Sequence, residues 1–145
     1  MSFLISNWQF WALLAAIFAA LTAIFAKLGV SDIDPDLATF IRTIIVMITL
    51  GGLVWATGKA QGLDGVQPRT WGFLVLSGLA TGASWLCYFR AMQLGDASRV
   101  APVDKLSVVF VALIAAVFLG EKLSAAGWGG VALIASGAIV LAIAP

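Results

Sequence analysis

Five long apolar stretches, each long enough to cross a lipid bilayer, run through the 145-residue chain. A helix needs about 20 mainly apolar residues to cross a hydrocarbon core about 30 Å thick. Polar clusters rich in glycine, proline and aspartate, which are typical of turns, separate the stretches. The pattern predicts an all-α integral membrane protein whose transmembrane helices cover about residues 8–28, 36–57, 70–94, 100–119 and 124–144.

The composition excludes several other classes of protein. Charged residues make up 10% of the chain, against about 25% in soluble domains. Continuous apolar runs also exclude transmembrane β-strands, which alternate in polarity. The chain has no histidine and one cysteine, Cys87, so we expect no metal site, cofactor or disulfide framework. A net charge of +1 without a basic run argues against a nucleic-acid partner. The expected surroundings are the lipid bilayer.

The first apolar stretch is either a cleaved signal peptide or a retained helix. A signal peptide has a basic start and an apolar core of about 7–15 residues. Here the segment from Met1 to Phe10 contains no Lys or Arg, and the apolar run is longer than such a core. We therefore expect a retained helix.

The orientation in the membrane is weakly specified by the charges. Short cytoplasmic loops usually carry the excess of Lys and Arg. One side of the predicted bundle carries Lys59, Arg69 and Lys122, and the other carries Lys27 and Arg99 at its loop edges. This near balance is compatible with a fixed orientation. It slightly favours dual topology, in which the chain inserts both ways and pairs with an inverted copy of itself.

Several charged residues lie inside the predicted spans, and three of them are the main candidates for a functional site. Arg42 is about six residues into the second helix, and Asp104 and Lys105 precede an apolar run in the fourth of about 14 residues, or about 21 Å. Charged groups at membrane depth are functional-site candidates by default. The alternative is a structural ion pair of Asp104 with Arg42, Lys27 or a neighbouring cation, which would hold the fourth helix to the first or second. Because adjacent helical residues point about 100° apart, we expect Asp104 and Lys105 not to pair with each other.

Other charges near the helix ends have a structural interpretation. Lys27, Arg90 and Arg99 have long side chains that can reach the lipid headgroups. A proline is typical of the first turn of a helix, so Pro102 favours a start of the fourth helix close by.

Aromatic residues occur at two depths. Tryptophans near the helix ends are typical of the membrane interface. Trp85 and Tyr88 lie deeper in the third span, with Ser84 on the adjoining face. A polar-tipped aromatic at that depth needs an internal hydrogen-bond partner. The sequence leaves open whether these side chains pack against other helices or line a substrate cavity.

The fifth span contains small residues and no charge. Small residues at helical spacing allow two helices to approach closely. This stripe is therefore a candidate dimer face, and it consists of Ala125, Gly129, Ala132 and Ser136.

Two segments resemble a known family. The segment Tyr88-Phe-Arg-Ala-Met-Gln-Leu-Gly-Asp-Ala-Ser-Arg-Val-Ala-Pro102 and the segment Phe118-Leu-Gly-Glu-Lys-Leu123 closely resemble the EamA-type domain of the drug/metabolite transporter superfamily. The resemblance covers essentially the whole chain. Most members fuse two inverted domains into ten helices, whereas this chain resembles the short bacterial and archaeal subgroup with one five-helix domain.

The resemblance implies a function. It implies one domain over residues 1–145, half of a ten-helix inverted-repeat fold, in the inner (plasma) membrane. It further implies a secondary transporter of small metabolites or drug-like compounds. The expected mechanism is alternating access by an antiparallel homodimer. Glu121 would be a structural or capping residue at the end of the fourth helix.

We expect a cavity lined by Ser84, Trp85, Tyr88 and Arg42, with Asp104 and Lys105 near its mouth. Titration of Asp104 would couple transport to protons. The alternatives are a non-transporting membrane subunit and one half of a heteromeric transporter. An enzyme is not expected, because the chain has no histidine and no nucleophile with an activating base.

Overall fold

The computed structural model describes residues 7–144, except for the side chains of Leu63 and Asp64. Helices account for the regular structure of these residues, and no strand occurs among them. The elements are α1 (Trp8–Gly29), α2 (Pro35–Ala56), a short 3₁₀ helix (Lys59–Gly65), α3 (Pro68–Leu94), α4 (Ala97–Asp104), α5 (Ser107–Ile114), a π-helical turn (Ala115–Leu119) and α6 (Ala125–Ile143).

The prediction of five transmembrane helices is confirmed. In the described part of the chain, five helical segments are long and apolar enough to cross a membrane. The fourth, Ala97–Leu119, combines α4, α5 and the π-helical turn. Only 6–11% of the residues in the most apolar window of each segment are buried. Side chains this apolar and this exposed require a lipid or protein environment, so the five segments belong in a bilayer.

Side-chain caps fix the starts of two helices. Asp34 Oδ1 accepts hydrogen bonds from the backbone N–H groups of Asp36 at 2.9 Å and Leu37 at 3.1 Å, and Pro35 occupies the first helical position of α2. Ser124 Oγ accepts a hydrogen bond from the N–H of Gly127 at 3.1 Å at the start of α6. These bonds satisfy donors that have no partner within their own helix.

The fourth span begins earlier than expected. Its first residue is Ala97, and the N–H groups of Arg99 and Val100 both donate to the carbonyl oxygen of Asp96. The prediction that Pro102 lies in the first turn is therefore wrong, because Pro102 lies inside α4. A proline at this position has no N–H to donate to the carbonyl oxygen four residues earlier, which weakens the helical turn before it.

The fourth span is also irregular along its length. Between α4 and α5 the backbone tightens, since the N–H of Leu106 donates to Val103 and that of Val108 to Lys105, each three residues back. After α5 the chain widens into the π-helical turn. Gly120 ends the turn at φ 70°, in the left-handed region that favours glycine. Such departures from α-helical geometry are common at hinges and functional sites.

The described residues form two compact units, one of residues 7–27 with 94–144 and the other of residues 28–93. In the first unit α4 and α5 both pack against α6, and the buried residues include Ala112 and Ala138. In the second unit the 3₁₀ helix packs against α2, and α3 contributes the buried residues Phe89 and Met92.

Candidate functional site

A cation rests on an aromatic surface in the second unit. The Cζ atom of Arg42 in α2 lies 4.1 Å from the ring centroid of Trp85 and 5.4 Å from that of Phe89, both in α3. At these distances the guanidinium is attracted by the ring quadrupole, a contact worth about 0.5–2 kcal/mol depending on how far it is removed from water. We call these three side chains the Arg42 stack.

The spacing of the aromatic residues explains the stack. Trp85 and Phe89 are four residues apart in α3 and therefore share one helix face. Tyr88 supports the same region, because its ring meets that of Phe89 edge-on, with centroids 6.5 Å apart and an interplanar angle of 64°. Trp85 and Tyr88 are half-buried, Phe89 is buried and Ser84 is exposed.

The sequence prediction named Arg42, Trp85, Tyr88 and Ser84 as cavity candidates. The structure brings Arg42 and Trp85 together and leaves Ser84 on the exposed side of α3. Phe89 was missed as a site residue. Its position one turn after Trp85 is the signal that would have identified it.

Asp104 and Lys105 form an ion pair. Lys105 Nζ lies 2.9 Å from Asp104 Oδ2, and the side chains are 55% and 35% exposed, respectively. The expectation that these neighbours could not pair is wrong. It assumed a regular helix, whereas α4 ends at Asp104 and Lys105 lies in the tightened turn. The long lysine stem can then bend back to the carboxylate.

Two other cations bind backbone carbonyl groups in the first unit. Lys27 Nζ donates to the carbonyl oxygen of Gly95 at 2.8 Å, and Arg99 donates to that of Ala142. Both acceptors lie at or just beyond the C-terminal end of a helix, where carbonyl groups lack partners in their own helix. The sequence did not indicate these contacts, because the acceptors are backbone atoms.

The remaining predicted charges lie on the surface. Arg90 in α3 and Glu121 after the π-helical turn are both exposed. The backbone of Glu121 contributes to the end of the fourth span, since its N–H donates to the carbonyl oxygen of Ala115 at 3.1 Å.

The small-residue stripe of α6 is exposed along its whole length. The buried residue of this helix is Ala138, and at 100° per residue it faces away from the stripe. The hydroxyl of Ser136 donates to the carbonyl oxygen of Ala132 at 2.8 Å, one turn earlier in the same helix. The hydroxyl proton, the polar hydrogen of the stripe's side chains, is therefore already used within the helix. The stripe is Ala125, Gly129, Ala132 and Ser136.

Comparison with known proteins finds similarity to a family of transporters and to two proteins described as transporters. The EamA-like transporter family matches residues 6–143. A Sinorhizobium sp. protein described as an uncharacterized transporter in the cobO 3′ region is 60% identical over 137 residues, which cover 94% of this chain and 97% of that protein. A probable magnesium transporter of Candida albicans is 32% identical over 102 residues, which cover 66% of this chain and 27% of that protein. No solved structure matches the chain.

Proposed function

Because the chain belongs to the EamA-like transporter family and is a membrane transporter, we propose that it is a secondary transporter of small metabolites. We further propose that it works by alternating access as an antiparallel homodimer in the plasma membrane. The odd number of spans, five, is the observation that carries the dimer proposal.

An odd number of spans gives the two orientations of one chain a special relationship. With five spans, the start of the first span and the end of the fifth lie on opposite sides of the membrane, so two such units joined in tandem would be inverted repeats. Many transporters are built from two inverted repeats around a site near the midplane. Two inverted copies of this chain would reproduce that arrangement from one sequence. The near balance of Lys and Arg on the two sides supports insertion in both orientations.

The surface of α6 supports pairing. Its stripe of small residues is exposed within the chain, so it is available for close contact with a second helix. Switching between the two access states would exchange the roles of two chemically identical protomers.

Two sets of side chains are candidates for the transport pathway. The first is the Arg42 stack, with Tyr88 beside it. The second is the Asp104–Lys105 pair at the tightened turn of the fourth span. A carboxylate at this depth supports a role for Asp104 in proton coupling, since intramembrane carboxylates commonly relay protons in transporters.

The name of the Candida relative raises Mg²⁺ as another substrate. A divalent cation would be repelled by the guanidinium of Arg42 at the stack. Hard cations of this kind also prefer oxygen ligands, such as carboxylates, to an aromatic surface bearing a cation. The stack therefore favours a metabolite over a metal ion as the substrate.

Labelling of the chain in intact cells tests the dimer proposal. A single cysteine after the last residue, in a Cys87→Ala background, is labelled with an impermeant reagent before and after permeabilisation. Gln61→Cys, in the 3₁₀ helix between α2 and α3, is the matched control, because it is separated from the C-terminal position by three spans. We expect about half of each cysteine population to be labelled from outside.

One-sided labelling would overturn the antiparallel homodimer. In a fixed orientation the two cysteines must report opposite sides, which makes that result unambiguous. The alternative, one half of a heteromeric transporter, then requires a partner chain of opposite orientation. Absence of flux from proteoliposomes containing both orientations would instead favour a non-transporting membrane subunit.

A further inference from the structure

We propose that the guanidinium of Arg42, held over Trp85 and Phe89, binds the carboxylate of the transported metabolite. The substrates would then be small organic anions with an apolar or aromatic body. This inference rests on the proposed transport function and deepens it by naming the substrate class.

The hydrogen-bonding capacity of Arg42 is unused in the second unit. A guanidinium has five N–H donors and no acceptor. It lies over the rings of Trp85 and Phe89 and interacts electrostatically with Tyr88, but none of these contacts is a hydrogen bond of the kind that a carboxylate would accept. Across residues 7–144, no carboxylate, carbonyl or hydroxyl oxygen accepts a hydrogen bond from it. An anionic ligand with two oxygens matches the planar fork that remains.

The depth of Arg42 makes such a ligand favourable. The residue lies seven positions after Pro35, or about 10 Å along the axis of α2. Water that solvates a cation is scarce at that depth, and the aromatic rings offset only part of the loss. A carboxylate would neutralise the charge and would itself be stabilised more strongly than in water, because the local dielectric constant is low.

The surroundings of the guanidinium favour an apolar body on the ligand. Arg42, Trp85 and Tyr88 are each half-buried, so parts of the cation and of both rings remain accessible. An aromatic or aliphatic body could pack against the accessible part of these rings while the carboxylate contacts the N–H donors. A cationic head group on the same body would be repelled.

The aromatic contact also orients the cation. The ring centroids of Trp85 and Phe89 both lie within 5.4 Å of Arg42 Cζ, so the guanidinium is restrained before a ligand arrives. Restraint of this kind lowers the entropy that is lost on binding. A lysine at the same position would retain the charge but lose the planar fork and its stacking.

Calorimetric titration of the full chain tests the inference without requiring transport. The protein is purified in a neutral detergent and titrated at pH 7.4 with sodium benzoate, sodium hexanoate and benzylammonium chloride, with protein-free micelles as the blank. We expect saturable binding of benzoate and hexanoate and none of benzylammonium. Arg42→Gln should weaken binding of the anions roughly ten- to a hundredfold, in line with the loss of charge-assisted hydrogen bonds.

Two variants serve as controls. Arg42→Lys retains the charge and much of the volume, so it should fold and still bind the anions more weakly than the unmodified chain. Arg69→Gln removes a second arginine that lies over an aromatic ring, 5.7 Å from the centroid of Phe73 at the start of α3. Its affinity for benzoate should be unchanged.

Several outcomes would overturn the inference. Binding of neither anion by monodisperse protein would do so, and so would equal affinity in the unmodified chain and in Arg42→Lys. A lipid phosphate offers the same anionic oxygens, so the titration is repeated with phosphatidylglycerol in the micelles. Loss of benzoate binding there would identify Arg42 as a lipid anchor, whereas retained binding supports a substrate site.

Failure of the proposed function gives a different result. If benzoate binds through Arg42 but proteoliposomes move no organic anion, the site is real and the transport proposal is wrong. If the proteoliposomes move cationic compounds and no anion binds, transport stands and the substrate class is wrong.

Discussion

Arg99 donates two hydrogen bonds to the carbonyl oxygen of Ala142, from Nε at 3.2 Å and from Nη2 at 2.9 Å. Arg99 lies in the first turn of α4 and Ala142 in the last turn of α6, so the contact joins the start of the fourth span to the end of the fifth. A cation at a helix C-terminus also interacts favourably with the helix dipole.

Arg99→Gln should therefore lower the free energy of unfolding in micelles by about 1 kcal/mol, because Arg99 is exposed and the bonds are partly replaced by water. Arg99→Lys should recover part of the loss through one hydrogen bond. The measurement is thermal unfolding, monitored by the amount of monodisperse protein that size-exclusion chromatography recovers after heating. Arg90→Gln is the control, since Arg90 is an exposed arginine without such a contact among the described residues. Equal stability of the two glutamine variants would contradict the prediction.

Lys27→Met should lower the free energy of unfolding more than Arg99→Gln does, by about 1–2 kcal/mol. The reason is that the carbonyl oxygen of Gly95 would lose its hydrogen bond in a partly buried environment. The bond from Lys27 Nζ to the carbonyl oxygen of Gly95 is 2.8 Å long and joins the end of α1 to the turn between α3 and α4. The same unfolding measurement applies, with Lys59→Met in the exposed 3₁₀ helix as the control. If Lys27→Arg is no more stable than Lys27→Met, the hydrogen bond is not the cause.

Gly120→Ala should destabilise the protein by about 1–2 kcal/mol through the backbone alone. An added Cβ would meet no atom within 4 Å, but the residue adopts a φ of 70°. Gly137→Ala, in the regular part of α6 and with the same open surroundings, should be neutral or stabilising. Hydrogen exchange at Glu121, whose N–H donates to Ala115, should rise in the first variant only.

Hydropathy alone predicted the membrane fold, because the length of an apolar run is a property of the sequence. The bounds of the helices differ from the prediction by up to three residues, as at Ala97, where the polar turn residues themselves begin the helix. The tightened turn at Lys105 could not be foreseen in this way. A prediction from periodicity assumes one regular helix. For the same reason it wrongly excluded an ion pair between Asp104 and Lys105.

Two of the three members of the candidate site, Arg42 and Trp85, were predictable from the sequence, but Phe89 and the contacts among the three were not. Arg42 and Trp85 stood out because a charge and a polar-tipped aromatic are costly at membrane depth. That the guanidinium lies over the Trp85 ring depends on how α2 and α3 pack, which no spacing within one helix specifies. The acceptors of Lys27 and Arg99 are backbone oxygens and leave no mark on residue type.

Asp104→Asn tests proton coupling. If Asp104 carries the proton, metabolite flux into proteoliposomes should no longer respond to a pH gradient in this variant. Folding should be nearly unchanged, because an ion pair with 35% and 55% exposed side chains contributes less than about 1 kcal/mol. Asp96→Asn, in the turn before α4, is the matched control and should keep its response to the gradient. A response that survives in Asp104→Asn would assign the coupling, if any, to another group.

Gly129→Leu tests the stripe of α6 as the dimer face. Within the chain a Cβ atom added at Gly129 meets no atom within 4 Å, and the neighbouring stripe residues are exposed, so the folded protomer should tolerate a leucine there. In a closely packed dimer the same side chain would separate the helices, and we expect the association constant in lipid vesicles to fall at least about tenfold. Gly137→Leu has equally open surroundings but lies off the stripe, so it should associate normally. The measurement is the number of photobleaching steps per vesicle over a range of dilutions. Equal dimer fractions for the two variants would exclude the stripe from the interface and leave the antiparallel pair to form through another helix.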